Sequence, residues 1–349
     1  MKSLYQSSTY LKDLKKVAEA TDVDFLAGKS VLITGSTGLI GSALTDLLLL
    51  KNHEDGLNIT VYAASRNTEA VLQRFSLFQE DHLIPVAYDA TKPVDFSFHV
   101  DLIIHAASNA SPDKYVNEPV DTMLDNFMGV YELLNFAKNT GAERLLYVSS
   151  SEVYGKKAQS VPLAETDYGV IDPSSVRSSY SASKLAAETM CVGFASQYQF
   201  DVVIARPGHI YGPTCKASDR RVSSEFPRLA SRSENIIMKS LGTQIRSYCH
   251  CFDCAAALLC ILKCGLSGEA YNISNSSSII TIHDMAEIVA EHAKVQLIME
   301  LPSGDEKKAF NPMDNSSLES SKLEALGYHG LFSAGEGLAH TVDILREIR

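Results

Sequence analysis

The stretch from Lys29 to Leu44 constrains this chain more than any other. It runs Lys-Ser-Val-Leu-Ile-Thr-Gly35-Ser-Thr37-Gly38-Leu39-Ile40-Gly41-Ser-Ala-Leu. Val31 to Ile33 reads as a buried strand, and Leu39 to Leu50 as an apolar helix. A strand, a Gly-rich turn and a helix in that order are what a dinucleotide phosphate site requires. Gly35 permits the tight turn, Gly38 leaves room for a pyrophosphate beside the backbone, and Gly41 lets the helix pack closely on the strand. Thr37, Leu39 and Ile40 complete the turn. The helix N–H groups and the positive end of its dipole then face the phosphates. The spacing G-x-x-G-x-x-G is one residue longer at its start than the common fingerprint. A Gly-rich turn without a ligand is the alternative, and a second motif far downstream weighs against it.

That motif is Tyr180-Ser-Ala-Ser-Lys184, preceded by Ser149-Ser150-Ser151-Glu152-Val-Tyr-Gly155. Tyr and Lys at i and i+4 share a helix face. An ammonium beside a phenol favours the phenolate, so the spacing predicts a Tyr180 pKa lowered towards working pH. Such a phenol takes a hydroxyl proton as hydride leaves the same carbon, while a Ser hydroxyl after the strand Leu145–Val148 holds the substrate oxygen. On these residues the chain resembles the short-chain dehydrogenase/reductase superfamily. Its length and motifs are similar to the extended branch, which acts on nucleotide sugars.

The net charge of −11 argues against a general nucleic-acid binder. No apolar run approaches the roughly 20 residues of a membrane span, and Met1-Lys-Ser-Leu-Tyr-Gln lacks the apolar core of a signal peptide. The expectation is a soluble cytoplasmic protein without a membrane partner. Seven cysteines fit reduced, intracellular use. Cys249, Cys251 and Cys254 flank His250 but look like a strand running into a buried helix, where free Cys is a small hydrophobe. No second ligand pair stands at zinc-finger spacing, so no metal site is expected.

Strands alternating with helices at βαβ spacing predict an α/β chain with a Rossmann-like, doubly wound parallel sheet and a smaller C-terminal α/β substrate domain. Residues 1–27 read as an amphipathic helical extension that packs on the body or on a second copy. Residues 28–206 form the NAD(P)-binding domain. Residues 207–349 are mainly substrate-binding, with about 245–275 returning to the first domain. Predicted strands are Ile59–Arg66, Ile84–Asp89, Asp101–Ser108, Arg144–Val148 and Phe200–Arg206. Helices are predicted over Asp121–Asn139, Tyr180–Gln197, Thr281–Ala293, Leu318–Leu326 and Glu336–Ile348, and 302–317 reads as a loop.

An acidic residue at the end of the second strand would favour NAD. Ser65 and Arg66 stand there instead, and Arg66 suits a 2′-phosphate. The cofactor is NAD or NADP, with a lean to NADP; stacking on adenine and plain solvation are the other readings of Arg66. Small residues Ala106, Ala107 and Ser108 let the cofactor approach the fourth strand. His105 lies beneath it, in a structural role. The resemblance adds Asp89 and Ala90 at the adenine, Asn126 in a hydrogen-bonding role near the active site, and Arg206 on the cofactor side.

Within the branch the chain is most similar to UDP-glucuronate decarboxylases. The shared runs are Ala110-Ser111-Pro112 with Tyr115 and Pro119, Ser150–Gly155, Arg177-Ser-Ser-Tyr180, Ala187–Cys191, Arg221-Val222 and Gln244-Ile-Arg246. The resemblance implies Ser150 at the reacting C4 oxygen, Tyr180 as base with Lys184 tuning it, and Glu152 beside the hexose ring. Arg246 would hold the diphosphate or a nearby anionic group, and Ser111, Ser151, His209 and Arg221 join it in binding substrate. It also implies a homodimer through a four-helix bundle built on the helices starting near Asp121 and Tyr180. The chemistry common to the branch oxidises C4 to a ketone, after which the sugar loses CO2, loses water or is reduced on its other face. Three departures stand out: His209 and Glu225 where relatives carry Asn, and Phe310-Asn-Pro312-Met-Asp314 in place of an Arg-rich element. Decarboxylation leads, ahead of 4,6-dehydration and 4-epimerisation. A net NADPH-dependent reductase and a non-catalytic nucleotide-binding scaffold are the competing readings. The intact Ser150, Tyr180 and Lys184 oppose the scaffold.

Overall fold

The computed structural model describes residues 3–78, 82–110, 112–157, 162–300 and 314–349. Val31, Leu32 and Ile33 are fully buried, as a strand covered on both faces of a parallel sheet must be. They form β1 (Ser30–Thr34), preceded by α1 (Ser8–Ala20) and followed by α2 (Leu39–Asp55). Next come β2 (Thr60–Ser65), α3 (Thr68–Arg74), β3 (Leu83–Ala87), β4 (Leu102–His105), α4 (Pro112–Asn117), α5 (Pro119–Thr140) and β5 (Arg144–Val148). Then follow α6 (Ser178–Tyr198), β6 (Val202–Pro207) and β7 (His209–Tyr211).

The C-terminal part adds α7 (Val222–Ser231), β8 (Ile236–Met238), β9 (Ile245–His250), α8 (Cys251–Cys264) and β10 (Ala270–Ile273). It continues through β11 (Ile279–Thr281), α9 (Ile282–Ala293), β12 (Leu297–Met299), β13 (Asn315–Ser316), α10 (Ser321–Glu324) and α11 (Ala334–Glu347).

The main sheet has the order β10-β6-β5-β4-β1-β2-β3, and all its pairs are parallel. One buried cluster joins α2, α3 and α8 to one face of the sheet, and another joins α5 and α6 to the other. This is the doubly wound α/β fold. The winding reverses between β1 and β4, where ligands bind in such sheets. After β7 the chain builds a smaller lobe: a sheet of β7, β9, β11 and β13, a β8–β12 pair, and a core under α7, α9 and α11. Two elements of this region rejoin the large sheet: β10 lies on its edge beside β6, and α8 packs against α2.

The helix expected over Leu318–Leu326 shrinks to Ser321–Glu324. The chain ahead of it is drawn into extended pairing, with Ser316 opposite Arg246 of β9 and Leu318 N–H donating to Ser247 Oγ (2.8 Å).

The N-terminal extension belongs to the main core. Tyr10, Leu14, Val17 and Ala18 of α1 are buried in the same cluster as α2 and α8. At its centre the fully buried Asp46 of α2 accepts from the Tyr5 and Tyr10 hydroxyls and from Arg74 of α3. A buried carboxylate is tolerated only when its lone pairs are met in this way. On its other side α1 meets α11 through Asp13–His340 (2.9 Å) and Lys16–Glu336 (2.8 Å).

His105 and His250 are buried and neutral. His105 Nδ1 lies 2.7 Å from Thr34 Oγ1, and His250 packs among Tyr211, Phe252 and Phe332. Burial, aided at His105 by the Lys184 charge, pushes each from 6.5 to about 3. A folded-state pKa below the unfolded value adds stability above the unfolded pKa, and that stability is lost as pH falls. Asp253 works oppositely: burial pushes its carboxyl from 3.8 up to about 6, so its contribution fades as pH rises through that window. These histidine shifts, together with the equal one at His209, are larger and dominate. The urea midpoint should fall steadily as pH drops from about 6.5 towards 4; a flat profile over that range would contradict neutral burial of these rings.

Candidate active site

The phosphate turn follows from backbone sterics. Gly35 has φ +71°, and a Cβ there would lie 2.9 Å from Ala106 O and Ala107 N. A Cβ on Gly41 would lie 2.2 Å from Gly35 O, so both positions exclude any larger residue. Gly38 is the N-cap of α2 and supplies no side chain to the first turn. The free N–H groups of that turn therefore suit an anion, and the cradle fits a dinucleotide pyrophosphate. Thr37 Oγ1 lies 3.2 Å from Ser65 Oγ, tying the turn to the end of β2. Leu39 and Ile40 pack on the main core, and Leu39 O accepts from Thr214 Oγ1 (2.7 Å).

At the far end of this groove Arg66 is exposed beside Ser65. The Thr91 backbone N–H, then its hydroxyl and the charges of Lys92 and Arg66, hold the Asp89 carboxyl below its usual range. Ala90 lies against α5, where a Cβ on Gly129 would come within 3.0 Å of it.

Under the loop after β4 runs a chain of neutral hydrogen bonds. Ser108 Oγ donates to Asn126 Oδ1 (2.8 Å), Asn126 Nδ2 to Ser183 Oγ (3.0 Å), and Ser183 Oγ to Tyr180 O (3.0 Å). Asn126 is buried and so locks the β4 loop to α6. Ser108 also lowers the Tyr180 phenol pKa. Ala107 N–H donates to Thr34 Oγ1 (3.2 Å).

Ser150 caps the short turn Ser151–Tyr154, its Oγ accepting from Glu152 N–H (3.2 Å). The Ser150 hydroxyl also acts on the Tyr180 phenol, favouring its ionised form. Ser151 is buried at the start of that turn. Tyr180 is buried as well, and burial raises its phenol pKa; Ser150, Arg221 and Ser108 pull it down, and the Glu152 charge adds to the rise.

This corrects the expectation that Lys184 brings the phenol towards neutrality. The Lys184 ammonium donates to Val148 O (2.8 Å) and lies over the rings of Tyr147 (4.8 Å) and Tyr180 (5.9 Å). Burial pushes its own pKa from 10.5 to about 7. In this site desolvation outweighs charge.

Glu152 meets Arg177 through two bonds of 3.1 Å and accepts from Ser181 Oγ (3.3 Å). Arg177 stands over the Tyr115 ring (5.6 Å), and Tyr115 stacks on Tyr180 at 5.3 Å and 26°. Arg221, at the start of α7, forks onto Asp219. Arg246 is buried on β9 and donates to Ile245 O (2.8 Å). Its charge acts with that of Arg221 on His209, where burial first and the arginines second lower the pKa to about 3. The neutral His209 has an Nδ1 without a protein partner among the described residues. Three guanidiniums and a neutral imidazole thus converge beside Ser150, Glu152 and Tyr180.

Arg206 takes a different post from the one expected on the cofactor side. Its guanidinium is committed to Glu188 (2.7 Å), Tyr154 Oη and Glu165 O (3.1 Å each). Ser111 lies outside the described residues, as do residues 310–313 of the altered C-terminal element. Glu225, in the first turn of α7, lies 3.9 Å from Arg220. Cys249, Cys251 and Cys254 pack into the main core, where burial raises their thiols. Sequence reasoning assigned no role to Arg177, Tyr115 or Asp219. A cation three residues before Tyr180 and an acid two residues before Arg221 were the available signals.

A Gly-rich turn at a helix N-terminus, opposite a Tyr–Lys helix on a doubly wound parallel sheet, defines the short-chain dehydrogenase/reductase class. The chain belongs to the NAD dependent epimerase/dehydratase family, which matches residues 31–274. It is an NAD(P)-dependent enzyme of the extended branch. It is 32% identical over 314 residues to UDP-glucuronic acid decarboxylase 6 of Arabidopsis thaliana, covering 90% of this chain and 88% of that one. It is 29% identical to UDP-glucuronic acid decarboxylase 1 of Xenopus tropicalis, covering 91% and 72%. In fold it matches the NAD-bound dTDP-glucose 4,6-dehydratase DesIV of Streptomyces venezuelae, with TM-score 0.77, 24% identity and coverage of 91% and 97%. UDP-glucose 4-epimerase of Thermotoga maritima matches with TM-score 0.76, 23% identity and coverage of 91% and 98%.

Proposed function

We propose that this protein converts a nucleotide sugar through a 4-keto intermediate and that its reaction is the decarboxylation of a nucleotide hexuronate, with UDP-glucuronate as the first candidate. The observation that carries this reading is the convergence of Arg177, Arg221 and Arg246 on Ser150, Glu152 and Tyr180. A diphosphate and a carboxylate on one substrate need that much positive charge, and guanidinium forks bind both. The curated relatives named above support the same choice.

Gly35, Gly38 and Gly41 with the first turn of α2 would hold the cofactor pyrophosphate, and Ser65, Arg66 and Asp89 its adenosine end. NAD(P) supplies the oxidant at C4 and the reductant that closes the cycle. Ser150 Oγ binds the C4 oxygen. Tyr180 Oη takes the C4 hydroxyl proton and later returns it. Arg221 and the two serine hydroxyls lower the cost of the phenolate in this buried place. A C4 ketone makes the C5 carboxylate a β-keto acid, so the C–C bond to CO2 breaks without a dedicated base, its electron pair passing into a C4 enolate that then takes a proton at C5. Glu152, aligned by Arg177 and Ser181, is the acid–base group beside the ring.

UDP-glucuronate incubated with the protein and NAD or NADP should give, by mass spectrometry, a product lighter by one CO2. The Tyr180→Phe variant should lower kcat by about 10²- to 10⁴-fold with its fold intact. Unchanged mass with no epimer formed would contradict the decarboxylase reading.

Arg66 favours NADP, since an exposed guanidinium at this end matches a 2′-phosphate. Arg66→Glu should weaken NADP binding by about ten- to a hundred-fold and spare NAD, as read by titration calorimetry. Equal effects on both cofactors would remove the preference. Stoichiometric NADPH consumption in the same reaction would instead favour a net reductase.

The expected dimer has a surface to form on. Val120, Met123, Leu124, Phe127, Met128 and Tyr131 line one exposed stripe of α5, and Leu185 and Val192 are exposed on the adjoining α6. An apolar stripe at helical spacing on paired helices calls for a partner surface, and a second copy would close it as four helices. Sedimentation equilibrium should report a dimer that Phe127→Glu converts to monomer. A wild-type monomer at micromolar concentration would exclude it.

A further inference from the structure

Lys184 is an ammonium with almost no solvent and little protein to support its charge. It is 2% exposed. The groups that face it come from three elements. From β5 come Val148 O, which accepts its hydrogen bond, and the Tyr147 ring. From β4 comes His105, which burial keeps neutral. From α6 come the Tyr180 ring, Cys191 and Glu188. Burial keeps the Tyr147 phenol and the Cys191 thiol protonated. That leaves Glu188, one helical turn beyond Lys184, as the carboxylate acting on it among the described residues.

Glu188 is 4% exposed and held from the opposite side. Arg206 Nε donates to both its oxygens (3.0 and 3.1 Å) and Nη2 to Oε2 (2.7 Å). Arg206 is itself fixed by Tyr154 Oη and Glu165 O. A buried charge persists only when paired and hydrogen-bonded. Here a cation on β6 secures a carboxylate whose other neighbour along the helix is the active-site lysine.

We propose that Glu188 is a positioning residue for catalysis: clamped by Arg206 one turn from Lys184, its negative charge keeps the buried ammonium charged beside Tyr180. The assignment holds for any substrate of this site, so it stands or falls separately from the decarboxylase reading.

The test is a pH titration of the full-length protein carrying lysine labelled with carbon-13 at Cε, read by NMR, with the Lys184 resonance assigned by its loss in Lys184→Arg. Glu188→Gln keeps the shape of the side chain and removes its charge. The Lys184 midpoint should then fall by about one pH unit or more. Tyr154→Phe loosens Arg206 but leaves Glu188 charged, so it should lower the melting temperature without moving the midpoint. If Glu188→Gln fails to fold because Arg206 is left unpaired, the double variant Glu188→Gln with Arg206→Gln removes both charges. It should still lower the midpoint, by less than the single variant, because the Arg206 charge removed with Glu188 opposes it at Lys184. A folded variant with an unmoved Lys184 midpoint would overturn the proposal and leave Glu188 a packing pin.

Discussion

The contact between Gly41 of α2 and Gly35 at the end of β1 governs the geometry of the nucleotide site. A single methyl group at Gly41 would lie 2.2 Å from the Gly35 carbonyl, so helix and strand can approach this closely only as glycines. That approach sets the N-terminus of α2 over the point where the sheet reverses its winding. From there the loops after β2, β4 and β5 bring Ser65, Ala106 and Ser150 to the same edge. The other end of the problem is solved by the N-terminal extension. Asp46 of α2 is bound by Tyr5 and Tyr10 from that extension and by Arg74 from α3. The helix whose first-turn N–H groups form the anion cradle is thereby tied to two neighbours through one buried carboxylate.

The active site is a contest between burial and charge. Desolvation raises the Tyr180 phenol and lowers Lys184 and His209. Left alone, it would give a neutral site unable to take a proton. Arg221 opposes it at the Tyr180 phenol and, with Arg246, reinforces it at His209; these two guanidiniums and that of Arg177 are each positioned by an acid or a carbonyl. Arg177 is fixed by Glu152, Arg221 by Asp219 and Arg246 by Ile245 O. An anionic substrate at this cluster would meet charge that the fold has already oriented.

The large sheet and its cofactor turn were legible because each depends on neighbours in sequence. A fully apolar run, a glycine spacing and an i,i+4 pair are local signals, and β1, α2, β5 and α6 follow from them. The smaller lobe was less legible. Its strands β7, β8, β11, β12 and β13 have three residues or fewer, too short for periodicity to show. β13 exists because it pairs with β9, some seventy residues earlier. Arg206 looked like a cofactor ligand from its place at a strand end, yet its partner Glu188 lies on α6 and only the fold brings them together. The sign of the Tyr180 shift was missed for a similar reason. The spacing to Lys184 is visible in sequence, whereas the burial that outweighs it is a property of the packed site.

The proposed reaction requires one site both to oxidise and to re-reduce C4 of a nucleotide sugar. The most direct measurement uses UDP-glucuronate carrying deuterium at C4, turned over with catalytic NAD or NADP, with the label followed in the product by NMR. An internal redox cycle predicts a decarboxylated product that keeps its deuterium at C4 while the cofactor pool ends in its starting oxidation state. Deuterium accumulating in free reduced cofactor, with a ketone left at C4, would contradict the account.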